Sequence, residues 1–203
     1  VKDTYGEMIA TNPCGEQPLL GNESCNLGSI NLAKFYQQSN DSTHEWLEKV
    51  DWGRLEEVTR TSVHFLDNVI DANKYATPEI EEMTKATRKI GLGVMGFADL
   101  LIQMHIPYNS KLAQEVGEKI MAKIREWSDD ESKELAKSRG TFPAWEKSTY
   151  NVPFNDEATQ KFRNHCRLTV APTGTISMIA DTSSGIEPTF ALAWKKQNIL
   201  EGK

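Results

Sequence analysis

Residues 166–177, Cys166-Arg167-Leu168-Thr169-Val170-Ala171-Pro172-Thr173-Gly174-Thr175-Ile176-Ser177, read as a strand, a tight turn and the opening of a helix. Positions 166–171 are mostly apolar or β-branched, which suits a strand. Pro172-Thr173-Gly174-Thr175 supplies turn residues, and 176–182 opens a helix. A strand that passes through a small-residue turn into a helix belongs to an α/β sheet. Downstream, Gly185 and Pro188 break the chain and 189–194 reads as another strand.

Upstream the pattern turns helical. Ser110 caps a long amphipathic helix carrying Leu112, Val116, Ile120, Ile124 and Trp127, which stops near Lys137, Arg139 and Gly140. Residues 91–105 are mostly apolar. Gly91, Gly93 and Gly96 fall on nearly one side, which points to a helix or helix entry packed closely on another backbone. Thr77-Pro78-Glu79 reads as a helix start. A helix is expected from about Asp51 to Tyr75, with Leu55, Val58, Ser62, Phe65, Leu66, Val69 and Ile70 on its apolar face. Residues 37–45 read as an exposed connection, 26–36 as a short helix, 12–24 as a loop and 6–11 as β-compatible. Helices outnumber strands, as in an α/β protein from which part of the sheet is missing. Residues 1–203 form one partial domain without repeats.

Composition narrows the function. The formal charge is −6 and the pI about 5.3. A mildly acidic chain lacks the basic surface that nucleic acid demands, so no direct nucleic-acid partner is expected. No apolar run reaches the roughly 18 residues that cross a bilayer, and no membrane partner is expected. No signal peptide is visible, and the chain starts at Val1 rather than Met, which points to a piece of a longer protein or a processed chain. Three cysteines, Cys14, Cys25 and Cys166, are too few and too unevenly spaced for a disulfide framework, so a reducing cytoplasmic compartment is expected. Neither they nor His44, His64, His105 and His165 have metal-ligand spacing, and no metal site is expected.

Three places hold reactive groups. Asn12-Pro13-Cys14-Gly15-Glu16 gathers a carboxamide, a thiol and a carboxylate, and positions 12, 14 and 16 share a side if the loop is extended. That sets an oxidisable or nucleophilic sulfur beside a base and a hydrogen-bond donor. An ordinary turn with Glu16 in solvent is the competing reading. Cys25 offers a second thiol, or simply a small buried residue. The turn at 172–175 presents backbone N–H groups and hydroxyls at a helix start, which makes an anion site or a plain strand-to-helix turn. It lacks the Gly-Lys-Ser/Thr of a Walker loop.

Four blocks in order resemble the large-subunit family of ribonucleotide reductases. They are Asn12-Pro13-Cys14-Gly15-Glu16-Gln17-Pro18-Leu19, the run Glu23 to Leu32, the run Arg88 to Asp99, and Ala171 to Ser177 followed by Ser184 to Phe190. The first block looks most like the adenosylcobalamin-dependent class, although some oxygen-dependent large subunits are similar there.

The resemblance implies a ten-stranded α/β barrel of two halves with a finger loop through its middle. Residues 1–36 would be the finger-loop region and 166–194 the phosphate-binding region, while the N-terminal half of the barrel would lie outside this chain. Cys14 matches the cysteine whose thiyl radical takes the 3′ hydrogen, Glu16 the base for the 3′-hydroxyl, and Asn12 the amide that holds substrate. Cys25 matches one of two reducing cysteines, and Pro172, Thr173, Gly174, Thr175, Ile176 and Ser177 match the phosphate loop. Implied partners are a ribonucleoside di- or triphosphate and a thioredoxin-like or dithiol reductant. The implied cofactor is adenosylcobalamin, whose site this chain is not expected to complete. Cys166 matches no catalytic position and reads as a buried strand cysteine. The fragment alone is expected to be inactive. Two other readings stand beside this one: a cysteine hydrolase pairing Cys14 with a histidine, and a non-catalytic nucleotide- or partner-binding module of the same family.

Overall fold

A computed structural model of the chain describes residues 6–38, 46–152, 155, 158–191 and 193. The chain opens with a hairpin. Strands β1 (Met8–Thr11) and β2 (Pro18–Leu20) pair antiparallel, with Thr11 opposite Pro18. The expected loop at 12–24 is therefore a tight turn followed by a strand. Pro18 is tolerated because it opens that strand.

Strand β3 (Asn26–Asn31) follows, then a 3-10 turn at Leu32–Phe35. The short helix expected at 26–36 is corrected here. The apolar run is too short for its period to separate helix from strand, and the β3 ladder to a distant strand decides it. Helix α1 (Trp52–Ala72) is capped by the Asp51 side chain, which accepts from the Arg54 N–H at 3.0 Å. Helix α2 (Pro78–Thr87) starts on the Thr77 cap with proline in its first turn, as expected.

Strand β4 (Ile90–Met95) and the short helix α3 (Phe97–Gln103) replace the single helical entry expected over 91–105. Gly93 does pack against backbone, but from a strand, whereas Gly91 packs against side chains. A Cβ on Gly93 would collide with the carbonyl oxygen of Thr169, and one on Gly91 would lie 2.5 Å from Leu27 Cδ2 and 2.8 Å from Thr169 Cγ2. Gly96 then turns the chain with φ 74°. Helix α4 (Lys111–Arg139) runs from the Ser110 cap to Gly140, as expected.

β3 and β4 are parallel, with Asn26 opposite Ile90 and Asn31 opposite Met95. Parallel strands need a crossover, and α1 and α2 supply it. On the other side of β4, residues 166–169 run parallel: Leu168 bridges Leu92, and the Ile90 and Leu92 N–H groups donate to the carbonyls of Cys166 and Arg167. The expected strand at 166–171 is thus an extended segment with one bridge. No strand forms at Thr189, Phe190 and Ala191; Leu192 and Trp194 lie outside the described residues, as do His44 and most of the 37–45 connection.

Ile90, Leu92 and Val94 form one face of β4 and meet Leu55, Val63, Leu66 and Ile70 of α1 and Val116, Ile120 and Ile124 of α4 in one apolar core. At about 25 cal/mol per Å2 of buried apolar surface, this packing is the main force holding the helices on the sheet. A buried polar knot reinforces it. The Asp67 carboxylate on α1 accepts from Arg88 Nε at 2.9 Å and from Asn164 Nδ2 at 2.9 Å. Arg88 also grips Asp71 with two bonds of 2.8 Å. The knot fixes the start of β4 and the approach to 166–169 relative to the helices. No helix among the described residues is long and apolar enough to cross a membrane.

Candidate active site

The hairpin turn is closed by Asn12. Its N–H donates to the Gln17 carbonyl, its Oδ1 accepts from the Gln17 N–H at 3.0 Å, and its own carbonyl accepts from Gly15 N–H. Gly15 sits at φ 84°, the left-handed region that a residue without Cβ adopts at no steric cost. The loop is therefore a turn rather than an extended run. Cys14 stands exposed at its tip, and Asn12 is used in holding the turn together.

Cys14 and Glu16 face a cleft of about 330 Å3 whose other walls are Leu27, Gly28 and Ser29 of β3 and residues 171–176. Glu16 is tied to the far wall through its backbone, where the Thr169 hydroxyl donates to the Glu16 carbonyl at 3.1 Å. Its side-chain Oε2 is buried without a hydrogen-bond partner.

Thr173 has φ 58°, and its hydroxyl accepts from the Gly185 N–H at 2.8 Å. Among the described residues, the N–H groups of Thr173, Gly174 and Thr175 donate to no protein acceptor. Successive free N–H groups in such a turn form an anion-binding concavity. The helix after it, α5 (Ile176–Ile179), is one turn long, and Thr175 makes no side-chain cap bond. Ser177 lies off the cleft, buried against the Ser184 hydroxyl at 2.9 Å.

Asp99, quoted within a motif but given no role by sequence, supports this loop from behind. Its Oδ2 accepts from the Thr182 hydroxyl at 2.7 Å and the Ser183 N–H at 2.6 Å. Gly96 N–H donates to the Ser183 carbonyl. These bonds fix the turn that delivers Gly185 to Thr173.

Cys25 does not line the cleft, although Leu27, two residues on, does. Its neighbours are anchored on both sides: Ser24 Oγ lies 2.8 Å from Thr84 Oγ1 of α2, and Asn26 Nδ2 donates to the Leu66 carbonyl of α1 at 2.9 Å. Burial, with the nearby Cys166 thiol adding to it, pushes the Cys25 thiol up to about 12, while the Lys89 ammonium partly offsets them. Cys166 is half-buried, with its thiol toward the Leu168 carbonyl at 3.5 Å.

Lys89 and Glu23 were also missed. Both side chains are buried, with Lys89 Nζ 2.8 Å from Glu23 Oε2. Hydropathy patterning passes over such residues because each alone looks like a surface charge. Among the described residues no histidine lines the Cys14 cleft, so a hydrolase pairing of Cys14 with a histidine has no base there.

The family model for the ribonucleotide reductase barrel domain matches residues 1–203. The chain belongs to the ribonucleotide reductase barrel-domain family. It is 52% identical over 198 residues to a vitamin B12-dependent ribonucleoside-diphosphate reductase of Thermoplasma acidophilum, covering 98% of this chain and 24% of that protein. A vitamin B12-dependent ribonucleoside-diphosphate reductase of Mycobacterium tuberculosis is 48% identical over 94% of this chain and 25% of its own length. A ribonucleoside-diphosphate reductase subunit alpha of Chlamydia pneumoniae is 31% identical over 98% of this chain and 22% of its length. The chain thus spans about a quarter of the length of these relatives, and it is more similar to the two vitamin B12-dependent ones than to the subunit alpha. The parallel strands with helical crossovers are a section of the reductase barrel.

Proposed function

We propose that this chain is the section of a ribonucleoside-diphosphate reductase that presents the radical cysteine, the proton acceptor and the substrate phosphate loop. One observation carries the reading. Cys14, Glu16 and the turn at Thr173, Gly174 and Thr175 converge on one cleft although the sequence sets them far apart. The names of the relatives support a diphosphate substrate.

The residues would act in sequence. The free N–H groups of the 173–175 turn hold the phosphates and thereby set the ribose between that turn and the hairpin. A thiyl at Cys14 takes the hydrogen atom from C3′ and gives it back there once the 2′ position has been reduced, which restores the thiyl. Glu16 Oε2 accepts the 3′-hydroxyl proton while a thiol of the reducing pair protonates the departing 2′-hydroxyl, which leaves as water; the Glu16 proton returns to the 3′ oxygen at the end. Cys25 and a second thiol, supplied by the rest of the protein, give two electrons and become a disulfide. An external dithiol reductant then restores them. Asn12 keeps Cys14 and Glu16 in register by closing their turn.

The exposed thiol of Cys14 fits a hydrogen-atom donor to a radical brought from outside the chain. Adenosylcobalamin, when bound in the full-length protein, would supply that radical. The cleft itself is sized for a sugar and its phosphates rather than for a corrin.

The test is deoxyribonucleotide formation with adenosylcobalamin and a dithiol, measured on the full-length parent, its Cys14→Ala variant and the isolated chain. The parent should turn over, and the other two should not. An active Cys14→Ala parent would overturn the mechanism.

A further inference from the structure

The buried pair Glu23–Lys89 stands where the hairpin, β3 and β4 meet. Asn26 pairs with Ile90, so the residues just before them, Cys25 and Lys89, lie side by side at the end of the ladder. Lys89 Nζ donates to Glu23 Oε2 at 2.8 Å and to the Pro18 carbonyl of β2 at 2.7 Å. Glu23 Oε2 also accepts from the Leu20 N–H at 2.8 Å, while Oε1 is buried with no partner. An ion pair in such a place is a poor source of stability. Its desolvation commonly cancels its Coulomb energy, and apolar residues of like volume would hold the site as well. The unpartnered Oε1 adds to the cost.

We propose that Glu23 and Lys89 are positioning residues for Cys25: as a neutralised pair beside the thiol, they fix it at the end of β3 and keep it in its protonated form. The proposal rests on the reading of Cys25 as a reducing thiol and deepens it. The charged and titratable groups acting on Cys25 are Cys166 from the 166–169 segment, Lys89 from the start of β4, Glu23 from its own segment and Glu16 from the hairpin; α1 and α2, which anchor Asn26 and Ser24, add none of these. A lone ammonium beside it would favour the thiolate. Bound to Glu23 it loses most of that pull, so burial decides and the proton stays. A thiolate would exchange with any disulfide that reached it, whereas a thiol waits. A plain structural latch between Lys89 and Pro18 would leave the ionisation of Cys25 untouched, and that separates the two roles.

The experiment uses the reduced full-length parent. Iodoacetamide labelling of the Cys25 peptide is followed by mass spectrometry from pH 7 to pH 10.5. This readout does not depend on reductase turnover, so its failure is distinguishable from failure of the functional reading. In the unsubstituted protein the labelling rate should still rise with pH above pH 9; a plateau before pH 9 overturns the proposal whether or not any variant folds. Glu23→Gln, checked for native circular dichroism, should speed labelling at pH 8 by more than about threefold, the size of a half-unit change in acidity. A smaller change in the folded variant overturns the proposal. Lys89→Arg, which keeps the charge, should label within about threefold of the unsubstituted protein, and a larger departure also counts against it.

Discussion

The Thr169 hydroxyl donates to the carbonyl oxygen of Glu16 at 3.1 Å, across 153 positions of sequence. That bond joins the hairpin bearing Cys14 to the segment that leads into the turn at 173–175, on the other side of the cleft. Thr169→Val keeps the shape and removes the donor. The expected loss of stability is about 1 kcal/mol. In the full-length parent, on the proposed roles, kcat should fall several-fold with KM for the nucleotide little changed, because the turn at 173–175 is intact while Glu16 is loosened. Steady-state kinetics with a urea melt checks both.

Gly91 and Gly93 should differ in what a methyl group costs. At Gly91 the nearest atoms are Leu27 Cδ2, Thr169 Cγ2 and Gln17 Nε2, all side-chain atoms that can shift. At Gly93 the nearest atom is a backbone carbonyl oxygen that also belongs to the packed 166–169 segment. Gly93→Ala should therefore cost about 3 kcal/mol and Gly91→Ala about 1 kcal/mol, within the usual range for overpacking. Equal unfolding midpoints for the two variants would contradict the packing described.

His165 provides a pH test. Burial, helped by the Lys89 ammonium, pulls its imidazole down from 6.5 to about 4. The unfolded chain therefore takes up a proton on this residue before the folded chain does. Its contribution is constant above about pH 6.5, is lost as pH falls from there to about 4, and changes no further below that. The loss should reach at most about 3 kcal/mol. Urea midpoints at pH 7 and pH 4.5 should separate widely in the unsubstituted chain and less in His165→Gln.

Asp99 should matter to substrate binding without touching substrate. Removing its carboxylate in Asp99→Ala releases Thr182 and Ser183, and with them the turn that places Gly185 on Thr173. KM for the nucleotide in the full-length parent should rise about tenfold, the equivalent of about 1.4 kcal/mol. Asp99→Asn retains one acceptor oxygen and should rise less.

Helix ends were the most legible part of the fold, because caps are local. Asp51, Thr77, Ser110 and Gly140 each mark a boundary that the structure keeps. The orientation of α1 was less legible. The expected apolar face included Phe65, which is 64% exposed, while Asp67 is fully buried. Hydrophobic periodicity cannot anticipate a carboxylate drawn into the core by Arg88 and Asn164 from distant segments. The strands β3 and β4 were misread for a related reason. Each is six residues long, and their partners are remote in sequence. Cys14, Glu16 and the turn at 173–175 stood out in the sequence by their motifs, and the structure brings them to one cleft, but Asp99, Thr169 and the pair Glu23–Lys89 are placed by neighbours that only the fold supplies.

Among the described residues, two clasps on the Cys14 hairpin come from far downstream. Lys89 reaches Pro18 across 71 positions and Thr169 reaches Glu16 across 153. On a ribosome the hairpin emerges ahead of Lys89 and Thr169 and can close on itself while both of these clasps are still unmade. It can dock only after Thr169 has left the exit tunnel, when the helices and parallel ladder beneath it have had time to form. The order of synthesis thus delays docking of the Cys14 hairpin until its surroundings exist.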